Sequence, residues 1–120
     1  MKAKVLKAMT IPDLLSMYTE AATGYETLRD SSDTANQKHA IIAAVYRELR
    51  IRGPEAQTHL LTLLNHEDLS VQSWSAAHAL EFAPDQGQKV IERLSRRSDL
   101  LGYSAQMTLR EWKKGALRFP

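Results

Sequence analysis

Apolar residues recur along this chain at intervals of three and four and never alternate in twos, so the pattern predicts helices throughout and no strand. Leu14, Leu15, Met17, Tyr18, Ala21 and Ala22 form a first stripe, with Thr10 placed as its N-cap and Pro12 in its first turn. This helix ends near Thr23 or continues past Gly24 to Leu28. Asp30, Ser31, Ser32 and Asp33 read as a turn, and Ser32 or Asp33 caps a second helix. Its stripe is Ala40, Ile41, Ala44, Val45 and Leu49, widened by Ile42 and Tyr46, and Gly53 with Pro54 ends it. A third helix from Pro54 carries Leu60, Leu61, Leu63 and Leu64 and breaks at Asn65 to Asp68. Asp68 or Ser70 caps a fourth, about 70–82, which is apolar on two opposed sides: Leu69, Ala76 and Leu80 on one, Val71, Trp74 and Phe82 on the other. A helix apolar all round is a buried helix. Ala83 and Pro84 open a fifth through Val90, Ile91 and Leu94, weakened by Gly87. Ser98 or Asp99 leads into a sixth, about 100–114, with Leu101, Ala105, Leu109 and Trp112 inward and Gly115 as its stop.

The third and fourth helices resemble the fifth and sixth. Leu60, Leu61 and Leu64 correspond to Val90, Ile91 and Leu94 at a spacing of 30 residues, and Trp74, Ser75, Ala76 and Leu80 to Tyr103, Ser104, Ala105 and Leu109 at 29. Helix pairs of this kind cannot bury their apolar faces alone and must stack on neighbours. The expected fold is therefore all-α, a short α-solenoid of about three helix pairs and about six helices. At 120 residues the chain suits a single domain covering 1–120.

Composition narrows the chemistry. The chain has no cysteine, which excludes disulfides and thiolate chemistry. Lys2, Lys4 and Lys7 interrupt Val5, Leu6, Ala8 and Met9, too short an apolar run for a secretory leader, and no stretch suits a membrane-spanning helix. The chain therefore reads as cytoplasmic, with no membrane partner. The net charge of +2 is unevenly spread: residues 1–52 carry eight Lys/Arg and six Asp/Glu, 53–85 none and five, and 86–120 eight and three. Such asymmetry orients an approaching partner.

No motif for catalysis survives inspection. His66-Glu67 begins like a zinc-protease HExxH, but Ser70 stands where the second histidine is required. His59 and His66 lie two turns apart with a helix break between them. His78, between Trp74 and Phe82, reads as a core histidine with one hydrogen bond. The five glycines are isolated, so no loop cradles phosphate. The chain is expected to be no enzyme and to need no cofactor or metal. Arg93, Arg96 and Arg97 close the fifth helix, and Arg110, Lys113, Lys114 and Arg118 the sixth. Cations suit helix C-termini, and the same set is a candidate phosphate-binding patch.

Ala35-Asn36, the run Glu48-Leu49-Arg50-Ile51-Arg52-Gly53-Pro54, Leu60-Leu61, Leu64-Asn65-His66, Val71, Ala76-Ala77, Leu80, Pro84, Ala105, Leu109 and Trp112 resemble, from about residue 13 onward, a bacterial family of small HEAT-like helical-repeat proteins of unknown function. That family carries no catalytic residues to transfer. Its members resemble the immunity proteins that accompany bacterial polymorphic toxins, so the resemblance implies a non-catalytic chain that binds and occludes a cognate toxin. Binding of this kind concentrates in a few desolvated anchors. The candidate partner-binding residues are helix-surface charges off the main apolar stripes: Arg47 and Arg50 on the second helix, Glu81 on the fourth, and Arg110 and Lys113 on the sixth. The competing readings are a nucleic-acid-binding helical-repeat protein using the basic C-terminal third, and a structural or homo-oligomeric subunit using Tyr103 and Met107.

Overall fold

A computed structural model describes residues 3–28 and 32–120. Every regular element in them is helical: α1 (Ala3–Lys7), α2 (Ile11–Ala22), α3 (Ser32–Arg52), α4 (Pro54–Thr58), α5 (Leu69–Phe82), α6 (Pro84–Ser95) and α7 (Leu100–Lys113). Short 3-10 segments cover Tyr25–Leu28 and His59–Asn65.

Caps set the boundaries largely where the sequence placed them. The Thr10 hydroxyl accepts from the Asp13 amide, the Asp68 carboxylate from the Val71 amide and the Asp99 carboxylate from the Gly102 amide. Each satisfies an amide that the first helical turn leaves without a partner. Gly53, at φ +110°, makes the sharp turn from α3 into α4, a conformation that side chains disfavour. The expected turn at Asp30 and Ser31 lies outside the described residues.

Two elements differ from the expectation of about six helices. The Lys-rich N-terminal stretch folds as α1, because a distant side chain holds it. The Arg52 guanidinium donates to the carbonyls of Leu6, Lys7 and Met9 at 3.0, 3.3 and 2.7 Å, and Leu6 is buried. Such long-range capping has no local signature. The third predicted helix divides into α4 and the His59–Asn65 segment. A three-residue repeat aligns Leu60 with Leu63 and Leu61 with Leu64, which suits the tighter winding. The Thr58 and Thr62 hydroxyls reinforce it by donating to the carbonyls three residues back.

The core has two clusters. Leu14, Tyr18, Ile42, Val45, Tyr46, Leu49, Leu60 and Val71 anchor the first, and Leu64, Ala76, Ala79, Ile91, Leu94, Leu101 and Ala105 the second. Phe82 packs against both, and α5 runs between them with buried residues on all sides. Gly87 is not a weak point of α6 but the place where α6 meets α5. A Cβ there would lie 2.7 Å from the Ala76 carbonyl oxygen and 2.9 Å from the Leu80 amide nitrogen.

The positions on α5 and α7 that correspond in sequence differ in how well they are covered. Ser75 and Leu80 on α5 are buried, whereas their α7 counterparts Ser104 and Leu109 are exposed and half-buried. Tyr103 is 60% exposed. No further helix follows α7 among the described residues, and Phe119 beyond it packs on the first cluster instead.

Candidate functional site

Three features stand out: a buried stack around His78, a basic groove between α6 and α7, and an acidic cleft at the N-terminal ends of α5 and α7.

The stack begins with the geometry of α5, which carries His78 into the centre of the molecule. The His78 Nδ1 shares a 2.7 Å hydrogen bond with the Tyr18 hydroxyl from α2. The Tyr46 ring from α3 lies parallel to the imidazole, with centroids 4.3 Å apart and planes inclined by 7°. The Tyr46 hydroxyl donates to Glu81 Oε1 at 2.5 Å and accepts from Gln57 Nε2 of α4 at 3.1 Å. Arg50 closes the outer end, with its Nε 3.0 Å from Glu81 Oε1 and its guanidinium 5.3 Å above the Tyr46 ring. Four helices are thus tied together by these hydrogen bonds and the stacked rings, from the buried His78 out to the partly exposed Arg50–Glu81 pair.

Burial dictates the protonation of this network. A charged imidazole loses its hydration here, so the His78 pKa falls to about 3, with nearby His39 and Arg50 adding to the shift. Burial likewise raises the Tyr18 and Tyr46 hydroxyls, and the hydrogen bond to Glu81 adds to the rise at Tyr46. His78 is a neutral core histidine, as its spacing suggested. A general base needs reach to a substrate proton, whereas the two tyrosines and Trp74 pack round this ring.

The groove has the opposite character. It encloses about 420 Å³ and is lined by Ser95 of α6 and by Gln106, Leu109, Arg110, Lys113 and Lys114. The last five residues stand at i, i+3, i+4, i+7 and i+8, one face of a helix. Leu109 is the apolar floor and packs on the second cluster, and Gln106 Nε2 donates to the Ser95 carbonyl at 2.9 Å across the groove. The lining contains no carboxylate. Among the described residues Arg110, Lys113 and Lys114 are exposed and form no ion pair.

The acidic cleft is lined by Glu26, Glu67, Asp68 and Asp99 together with Gly24, Leu69, Ser70, Leu100 and Leu101, around about 510 Å³. Its two aspartates are already spent as N-caps, and Asp99 also pairs with Arg97 at 2.7 Å. Burial raises the Glu26 carboxyl, helped by Asp99. Among the described residues no group of three or more His, Asp or Glu side chains is arranged to hold a metal ion. The His66 ring accepts from the Asp68 amide at 3.0 Å and shapes the turn before α5.

The candidate partner residues therefore fall into three sets. Arg47 is exposed on α3 and forms no ion pair among the described residues. Arg50 and Glu81 are brought together, paired to each other and committed to the buried stack. Arg110 and Lys113 are brought together on the groove. Two other members of the basic end are engaged internally, Arg93 with the Gln72 side chain at 2.9 Å and Arg97 with Asp99. Sequence reasoning missed Tyr18, Tyr46 and Gln57 as partners of the stack. The signal present was chemical: buried tyrosine hydroxyls require partners, and His78 and Glu81 were the titratable residues on α5.

These features define the class: an all-helical chain in which sequential helices pack on one another. No family model matches the chain, and no curated protein matches it in sequence. Its fold is similar to the crystal structure of the protein RPA1889 from Rhodopseudomonas palustris CGA009, with a TM-score of 0.86 and 20% sequence identity, over 96% of this chain and 98% of that one. Among the described residues no helix is long and apolar enough to cross a membrane.

Proposed function

We propose that the chain is a non-catalytic protein-binding module, a short α-solenoid of about three HEAT-like helix pairs whose partner docks on the groove between α6 and α7. The observation that supports this reading is the unequal fate of its charges. Arg50 and Glu81 tie α3 to α5, and Arg52, paired with Glu48 within α3, holds the end of α1. Arg110, Lys113 and Lys114 surround an apolar floor in a groove whose lining holds no carboxylate. Unpaired cations beside exposed apolar surface steer and orient a complementary partner.

In the specific form we propose, following the family resemblance, the partner is a bacterial toxin and the chain is the immunity protein that occludes it. The test is co-expression with the product of the neighbouring gene. That product should arrest growth alone, and this chain should restore growth and co-purify with it. A harmless neighbour with no affinity for the chain contradicts the reading. Nucleic acid is the weaker alternative, because two arginines of the basic end are already satisfied by Gln72 and Asp99.

A further inference from the structure

We infer that the occupant of the α6–α7 groove is an acidic amphipathic helix of the partner, laid along α7 in the place a further helix of the stack would take. This rests on the binding-module reading and names what the module grips. The first argument is positional. Residues 106, 109, 110 and 113 make up one stripe of α7, continued by Lys114 at its C-cap, and the corresponding position on α5, Leu80, is fully covered, whereas Leu109 is half-buried. A helical face with an apolar centre and a neighbouring helix wall is the form of a helix-in-groove site.

The second argument is charge. Three cations flank the apolar floor, none forms an ion pair among the described residues, and the lining holds no carboxylate. The complement is a helix with an apolar stripe flanked by Glu or Asp, its acidic side chains three or four residues apart so that they fall on one face. The residues after α7 do not fold back into the groove, since Phe119 packs on the first cluster.

The experiment is fluorescence anisotropy of a labelled synthetic helical peptide with leucines along one stripe and glutamates flanking them, titrated with the full chain. A control peptide has the same composition with the leucines scattered round the helix. The ordered peptide should bind and the scattered one should not. Arg110→Glu with Lys113→Glu should weaken binding by about tenfold or more, whereas Lys4→Glu on α1 should leave it unchanged and both variants should melt alike. Equal binding of the two peptides, or indifference to the Arg110 and Lys113 reversals, overturns the inference. So does tighter binding of a mixed-sequence oligonucleotide that the same reversals abolish, or sedimentation showing that the chain fills the groove with a second copy of itself. If the groove variants lose neither peptide nor the neighbouring gene's product, the groove assignment fails while the binding-module reading stands. If no peptide and no neighbouring product binds at all, both fail.

Discussion

Glu81 and Arg110 look alike in the sequence, each a charged residue on a helix face away from the apolar stripe, yet the fold treats them in opposite ways. Glu81 accepts from Tyr46 and pairs with Arg50, the last links of a network that reaches the buried imidazole of His78. Arg110 stands on an open groove with two lysines and no carboxylate in its lining. The difference teaches that a charge signals binding only after the chain's own demands on it are counted. Buried polar groups must be satisfied internally; Arg50 and Glu81, partly exposed at the outer end of the stack, are engaged by Tyr46 and by each other, whereas the groove is where the proposed reading puts recognition. Substitutions in the two regions should therefore separate cleanly into those that lower stability and those that lower affinity.

The largest stability effect is expected from Tyr46→Ala, which removes a fully buried ring stacked on His78 and unties Gln57 and Glu81. A loss of about 3 to 5 kcal/mol in urea unfolding is predicted, and a loss under 1 kcal/mol would show that the stack carries no weight.

Acid should reveal the same region. Above pH 6.5 His78 is neutral in both folded and unfolded chains and adds no pH dependence. Between pH 6.5 and 3 the unfolded chain takes up a proton that the folded chain, with its pKa near 3, refuses. Stability should then fall with pH by at most about 1.4 kcal/mol per unit, reaching about 3 kcal/mol by pH 4. Denaturant midpoints measured at pH 7, 5 and 4 test this, and His78→Gln should flatten the slope. An unchanged slope in that variant would locate the acid sensitivity elsewhere.

How much of this was legible in the sequence depends on the range of the interactions. Asp68, Asp99 and Thr10 announced their helix starts because a cap bonds within three residues. The all-round burial of α5 was visible in its two apolar sides, and His78 was readable as a core residue. Arg52 capping α1 spans more than forty residues and has no local trace. The pairing of Arg50 with Glu81 is likewise a product of how α3 meets α5. Arg110 and Lys113, three residues apart on one helix, were readable as neighbouring surface charges, but not as the lining of a groove. Which wall faced them was set by α6, whose Ser95 carbonyl receives the Gln106 amide. Gly87 looked like a weakness because propensity is local, while its need for close contact with Ala76 and Leu80 is tertiary.

A subtler change sharpens the comparison. Tyr18→Phe keeps the ring and removes only the hydroxyl that meets His78 Nδ1. About 1 to 3 kcal/mol should be lost, the cost of a buried polar atom without its partner. Thermal and urea unfolding should agree on the sign, and a neutral result would mean that the imidazole finds another partner.

The smallest effect on stability belongs to the groove. Arg110→Glu and Lys113→Glu alter exposed side chains that form no ion pair among the described residues, so the folded state should shift by no more than about 0.5 kcal/mol. A larger drop would make those cations structural after all.

Backbone amide NMR of the full chain, titrated with the acidic helical peptide, tests the division of labour most directly. The account predicts that perturbed amides cluster at Ser95 and along residues 106–114, while those of Tyr18, Tyr46, His78 and Glu81 keep their positions. Perturbations centred on Arg47, Arg50 and Glu81, with the α7 face silent, would contradict it.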